Sequence, residues 1–308
     1  MKQVLCVGHA VQDFIFRTPQ MPQRAEKHRA TGFTAVGGGP AATAAVAISK
    51  LGGTAQLVAR LGDDLLADVI QRELEQYGVD CRYVRRFAGH QSSVSSVFID
   101  DRGERLIMNH TDGTMPTDPS WLASAVSLEG VDAILADTRW PDGATFMLTR
   151  ARDAGLPAVL DADVPVAKQD ALVGAATHIA FSLAGLKDFT GCSEKSADVE
   201  RALCDVASRT RRWCCVTMGA AGVSIADGRR FPDVMNVTKI PAFPVTPVDT
   251  LGAGDVWHGA FVLALAEGAD EEHAVRAASA AAAIKVTRAG GRAGVPTRQQ
   301  RDALLESK

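Results

Sequence analysis

The 308-residue sequence has no Cys-x-x-Cys spacing among its six cysteines, no large excess of charge and no apolar run of membrane-spanning length. The first absence removes zinc ribbons and thioredoxin-type redox motifs. Cys6, Cys81, Cys192, Cys204, Cys214 and Cys215 read as buried free thiols. A formal charge of −3 shows neither a nucleic-acid footprint nor an acidic tail, so the expected partner is a small molecule, with no nucleic acid and no membrane. The opening "MKQVLCVGHAVQD" reads directly as a strand, without a signal-type apolar region, and predicts a cytoplasmic protein. The glycosylation patterns at Asn109 and Asn236 are therefore taken as chance matches. Internal repeats and low-complexity tracts are missing as well.

What is present is an alternation of short β-rich runs with longer helical ones. "VLCVG", "AQLVARLG", "AILAD", "PAVLDAD", "HIAFS" and "RWCCVTMG" read as buried strands. "LADVIQRELEQYG", "ATFMLTRARDAG" and "VERALCDVASRT" carry apolar residues at helical spacing. This order predicts an α/β protein with a mainly parallel central sheet flanked by helices. Segments 13–36 and 92–112 instead alternate polar with apolar residues around turn signals, as half-exposed antiparallel strands do, and predict a small β-sheet lid.

The chemistry concentrates in "VDTLGAGDVWHGA", residues 248–260. Glycines 252 and 254 let the backbone gather its N–H groups into one concavity, and a helix starting there adds its positive end. Asp255, in the first turn of that helix, is expected to stay ionised beside the dipole and to accept a proton. Phosphoryl transfer asks for this combination of an anion cradle and a positioned carboxylate; a plain helix cap is the competing reading. His258 is assigned to helix packing. "VTMGAAG" (216–222) places Thr217, Gly219 and Gly222 after a strand, where phosphates or a nucleotide could sit, and "VGGGPAATAAVA" (36–47) sets three glycines before a helix of small residues. Neither a Walker A loop nor a Gly-x-Gly-x-x-Gly turn occurs, which argues against P-loop and dinucleotide enzymes.

Together, the strand ending near Asp13, the glycines at 37 and 38, "TMGAAG" and "DTLGAGD" resemble the PfkB, or ribokinase-like, family of carbohydrate kinases over the whole chain. The resemblance implies a single ribokinase-like three-layer domain over 1–308, transfer of the γ-phosphoryl of ATP to a sugar hydroxyl, Mg²⁺, and, in many members, a monovalent cation such as K⁺. It makes Asp255 the catalytic base and Gly252, Ala253 and Gly254 the anion hole. Thr217, Gly219 and Gly222 would line the nucleotide site. Asp13 would bind sugar hydroxyls, with Gly37 and Gly38 letting the sugar approach the backbone, and Asp249 would shape the monovalent-cation region. Two departures stand out. Ser182 and Gly185 replace the Asn-x-x-Glu that orders Mg²⁺ in relatives, leaving Asp161 and Asp163 as carboxylates that could act through water, and Ala42 stands where ribokinases proper carry Asn.

The phrases "VGGGPAATAAVA", "GERLIMN", "LADTRWPDGA" and "TRAGGRAGVP" look most like the 6-deoxy-6-sulfofructose kinases of bacterial sulfoglycolysis, which phosphorylate the carbon-1 hydroxyl of that ketose. A sulfonate stays anionic at cellular pH and needs permanent positive charge and forked donors; Arg139, Lys27 and Asn109 are the candidates. A phosphate on carbon 6 would suit much of the same set, with Arg29 and Arg105 adding charge, so fructose 6-phosphate or tagatose 6-phosphate competes. Fructose, ribose or a nucleoside is a further alternative, and a non-catalytic sugar or nucleotide sensor on the same fold a remote one. Exposed lid edges also predict a homodimer in which lids pair.

Overall fold

The computed structural model describes residues 1–230 and 236–307, without the side chain of Arg105. The chain opens with β1 (Gln3–Gly8), β2 (Val11–Thr18), β3 (Gly32–Gly38), α1 (Pro40–Lys50), β4 (Thr54–Gly62), α2 (Leu65–Gln76) and β5 (Asp80–Phe87). It continues with β6 (Ser93–Asp100), β7 (Arg105–His110), α3 (Leu122–Ala125), β8 (Ala133–Ala136), α4 (Pro141–Asp153), β9 (Ala158–Ala162), α5 (Asp170–Ala175) and β10 (His178–Ser182). After these come α6 (Leu183–Thr190), α7 (Ser196–Thr210), β11 (Trp213–Thr217), β12 (Val223–Asp227), β13 (Thr238–Ile240), α8 (Ala253–Ala266), α9 (Glu271–Val286) and α10 (Arg298–Glu306).

Nine strands form the main sheet in the order β13-β12-β11-β10-β9-β8-β1-β4-β5. From β11 to β5 every pairing is parallel, and β12 and β13 add an antiparallel edge. The central strands β1, β8 and β9 are apolar almost throughout because helices cover both faces. One apolar layer packs α1, α2, α8 and α9 against the sheet; the other packs α4, α5, α6 and α7. All six strands expected from the sequence are present, and the three expected helices fall on α2, α4 and α7, the segments over α2 and α4 running past the observed helix ends into Gly78 and Gly155. β5 and β13, the two edge strands, carry polar residues at exposed positions and lacked a signal for that reason; β12 is internal and buried but only five residues long.

The expected lid segments become a second sheet of order β3-β2-β6-β7. One correction applies: β2 and β6 run parallel, whereas β3 and β7 are antiparallel to their neighbours. Alternation shows that one face of a strand is exposed but carries no information on strand direction. β2 follows β1 after two residues and leaves the main sheet at its carboxyl edge, where ligands bind in open α/β sheets. No helix among the described residues is long and apolar enough to cross a membrane.

Candidate active site

The carboxyl ends of the parallel strands bring together His9 after β1, Asp137 after β8, Asp161 and Asp163 at the end of β9, Ser182 at the end of β10 and Thr217 at the end of β11. Asp137 holds this edge together. Its Oδ2 accepts the N–H groups of His9 (2.7 Å) and Ala41 (3.0 Å), and its Oδ1 that of Arg139 (2.9 Å). The sequence reading passed over Asp137, although a carboxylate straight after a fully apolar strand was the available signal.

At the head of α8, Gly252 adopts φ 73°, a left-handed conformation that glycine takes without strain. The helix begins at Ala253 with Asp255 in its first turn, as predicted. Of the three expected anion-hole amides, that of Ala253 donates to the Thr250 carbonyl at 3.2 Å.

Asp255 departs from expectation. Although the residue keeps some solvent contact, burial pushes its carboxyl up to about 7, and the charges of Asp161, Asp137 and Asp163 add to the rise against an opposing contribution from His258. Desolvation and like charge thus outweigh the helix dipole, which sequence had suggested would keep Asp255 ionised. Asp161 is buried and lies well above the carboxylate range, for burial first and then for the charges of Asp163 and Asp137. His258 is 2% exposed, and its Nε2 lies 3.3 Å from the Ala180 carbonyl. Its Nδ1 is 3.3 Å from Asp161 Oδ2, within ion-pair distance but without hydrogen-bond alignment. Burial lowers the imidazole's pKa against the raising effect of Asp255, so the ring belongs to the carboxylate cluster as well as packing in the helix.

Ser182 Oγ donates to Asp163 Oδ1 at 2.5 Å and accepts the Gly185 N–H at 2.8 Å, capping α6. A Cβ at Gly185 would run into the Ala162 carbonyl, so this backbone has no room for the glutamate that relatives carry. Among the described residues no group of three or more His, Cys, Asp or Glu is disposed to grip a metal directly. Asp163 and Ser182 do offer hard oxygen atoms at the strand ends, a donor set that suits the water shell of Mg²⁺. Thr217 pairs in register with Ser182, and the turn Gly219–Ala221 follows, closed by Gly222. The predicted nucleotide loop therefore lies beside these oxygen donors.

Between the two sheets opens a cleft of about 640 Å³, lined among others by Asp13, Arg60, Asn109, Arg139 and Leu251. Burial raises the Asp13 carboxyl, partly offset by a hydrogen bond from Ser95 and the charge of Arg292. Gly37 and Gly38 do not line this cleft: a Cβ at Gly38 would strike the Asp13 carboxylate, and one at Gly37 would strike Arg292 and Glu73. The space that sequence assigned to a sugar beside these glycines is filled by protein side chains, and the backbone bordering the cleft is that of Gly39. Arg292, 1% exposed, was missed although "TRAGGRAGVP" had been singled out.

Arg139 is exposed and lines the cleft. Arg60, which sequence did not suggest, joins it, with its guanidinium 4.6 Å over the Trp140 ring and Nη1 donating to the Pro116 carbonyl at 2.8 Å. Burial lowers the pKa of His9; Asp137 opposes this, and the charges of Arg139 and Arg60 reinforce it, so both guanidinium groups bear on the same end of the cleft. Asn109 is also there, donating to Ser95 Oγ at 3.1 Å. Lys27 is not: it and Arg29 sit on the exposed segment between β2 and β3, away from the cleft lining. The side chain of Arg105 lies outside the described residues. Asp249 is met by Lys285, whose Nζ donates to its carbonyl at 2.9 Å. Burial acts to raise the Asp249 carboxyl, but the Leu251 N–H and the Lys285 charge hold it below the usual range.

Whole-protein comparison identifies the fold that carries this site. The pfkB family carbohydrate kinase pattern matches residues 1–298, and the chain belongs to that family; it is an ATP-dependent carbohydrate kinase with the ribokinase-like fold. Ribokinase from Bacillus subtilis is 27% identical over 310 residues, covering 99% of this chain and 100% of its own. A solved Agrobacterium tumefaciens protein is 38% identical with a TM-score of 0.87, covering 99% of this chain and 98% of its own. Arabidopsis thaliana ribokinase, solved with ribose and ATP, shares the fold at 22% identity and a TM-score of 0.85, covering 99% of this chain and 98% of its own.

Proposed function

We propose that this kinase transfers the γ-phosphoryl of ATP to the carbon-1 hydroxyl of a ketose bearing a strong-acid anion at its far end, 6-deoxy-6-sulfofructose, giving the 1-phosphate. The observation that carries the reading is the pairing of Arg139 and Arg60 at one end of a cleft that Asp13, Ser95 and Asn109 of the small sheet also line. A fixed sulfonate needs forked, permanently charged donors, and guanidinium groups supply them. Asn109 adds a neutral donor. Lys27 enters this set only through movement of its segment.

In this reading the whole chain acts as one kinase domain with the small sheet as its lid. Asp255 accepts the proton of the attacking hydroxyl, and the amides of Gly252 and Gly254 at the head of α8 face the charge that develops on the transferring group, joined by that of Ala253 when it leaves the Thr250 carbonyl. A carboxyl near 7 is better matched to that proton than one near 4. Asp13 holds the sugar hydroxyls, and Thr217, Gly219 and Gly222 border the nucleotide. Asp163 and Ser182 would hold the water shell of Mg²⁺, which would supply charge neutralisation at the phosphates of ATP. The lids of two copies pair as a homodimer.

Initial rates of ADP formation with 6-deoxy-6-sulfofructose, fructose 6-phosphate, fructose and ribose test the assignment. A clear preference for the sulfonate is expected. Ribose, the sugar named by several relatives, would be the preferred acceptor if Arg139 and Arg60 had no anion to bind.

A further inference from the structure

The turn that leads into α8 is tied to the end of α9 by a buried lysine. Lys285 has no exposed surface, and its Nζ donates to the Asp249 carbonyl at 2.9 Å and lies 3.4 Å from Asp249 Oδ2. Taking an ammonium out of water is costly unless its charge is paired and hydrogen-bonded. The other polar groups of this corner are committed too. Asp249 Oδ1 accepts the Leu251 N–H at 2.9 Å, and the Gly291 N–H faces Oδ2 at 3.5 Å. The Val286 carbonyl accepts both the Val248 N–H (2.7 Å) and the Asp249 N–H (3.0 Å).

An exchangeable monovalent cation must replace its hydration shell with several oxygen ligands. Here the Asp249 oxygens already face an ammonium, and a second positive charge alongside would be repelled. The residues therefore do not fit the K⁺ that the family resemblance implied at Asp249.

We propose that the Lys285 ammonium is a built-in cation that fixes the Thr250–Gly252 turn, so that this kinase runs without an exchangeable monovalent ion. The inference rests on the kinase reading of the site. A compact ammonium on a four-carbon stem provides one unit of charge and three donors, the chemistry a bound ion would otherwise supply. Being tethered, it is present at any salt concentration.

Wild-type enzyme is assayed at equal ionic strength in potassium chloride and in tetramethylammonium chloride, whose cation is too bulky for this corner. Rates within about twofold are expected, because no anion-hole element depends on the salt. Lys285→Ala opens space beside Asp249; in tetramethylammonium chloride it should lose on the order of 10²-fold in turnover, a loss typical of a disturbed anion hole. Potassium or methylammonium should restore part of that loss. Potassium should also raise the melting temperature of Lys285→Ala but not of wild type, a readout that needs no substrate and holds whatever sugar the enzyme takes. Lys285→Met refills the space without charge and should be impaired and not rescued. A wild-type enzyme that requires potassium, or a Lys285→Met enzyme with full turnover, overturns the proposal, and these two results decide it even if Lys285→Ala does not fold.

Discussion

Arg292 Nη2 donates to the Gly38 carbonyl at 2.6 Å, joining the loop after α9 to the last residue of β3. The same guanidinium lies 3.2 Å from Glu73 on α2 and 3.3 Å from the Thr43 hydroxyl on α1. One buried charge thus fixes the root of the small sheet against the main domain, next to Asp13. Arg292→Met should leave Glu73 with no cationic partner and cost about 3 kcal/mol, as breaking a buried pair does. Urea unfolding measures this, and adding Glu73→Gln should recover part of the loss. A change below about 1 kcal/mol would mean that the pair contributes no more than a surface one.

Asp255 sets the chemistry in the proposed mechanism. Asp255→Asn keeps the shape and removes the base, so turnover should fall by roughly two to four orders of magnitude while ATP and sugar binding persist. Since the carboxyl of the free enzyme is pushed up to about 7, wild-type kcat/KM should climb with pH and level off above that value. The residual activity of the variant should lack this rise. Turnover retained in the variant would reassign the base.

The same group makes a stability prediction of opposite sense. A carboxyl raised from 3.8 to about 7 by folding binds its proton more tightly in the native state. Its ionisation therefore costs nothing below the unfolded value, costs progressively more between 3.8 and about 7, and reaches its full effect above that. The whole rise corresponds to about 4 kcal/mol, and allowing for the water that reaches the residue we expect about 2 kcal/mol. Asp255→Asn should accordingly melt at a higher temperature than wild type at pH 8 and show little difference near pH 4. Equal melting temperatures at pH 8 would falsify the buried-charge account.

How far sequence reaches is visible in these residues. The parallel sheet was legible because strands buried on both faces are continuous apolar runs, and the head of α8 because its glycines and acidic first turn leave local marks. The degree to which Asp255 is pushed up was not legible, since it depends on Asp161, Asp137 and Asp163, which are far away in the chain. Arg60 and Arg292 were missed for the same reason: an arginine in a strand or a loop looks alike whether it faces water or a cleft. Gly37 and Gly38 were seen, but what fills the space beside them comes from residues 13, 73 and 292.

Arg139 carries the proposed substrate preference. Arg139→Ala should raise KM for 6-deoxy-6-sulfofructose by roughly 10- to 100-fold, the worth of a charge-assisted contact, and leave KM for neutral fructose within about twofold. Arg60→Ala should act in the same direction but also lower stability, because its guanidinium covers Trp140. Equal effects of Arg139→Ala on the charged and the neutral sugar would remove the anion from the argument.

The outer face of the small sheet motivates the proposed homodimer. By strand register and alternation, Phe14, Phe16, Phe33, Phe98, Leu106 and Met108 share the face turned away from Asp13, Ser95 and Asn109. Phe14 and Phe33 stack with ring centres 6.0 Å apart, and Phe16 and Phe98 at 5.5 Å, yet Phe33 remains 59% exposed and Met108 71%. An apolar face of this kind on a four-stranded sheet calls for cover, and a second copy brings the same face to a two-fold contact. Light scattering should give twice the chain mass for wild type, and Phe33→Asp with Met108→Asp should give the single-chain mass, because two desolvated carboxylates per copy oppose the contact. If the lid also depends on its partner to close over the sugar, the double variant should show a raised KM for the ketose with an unchanged KM for ATP. A single-chain mass for wild type at assay concentration would leave the face uncovered and end the proposal.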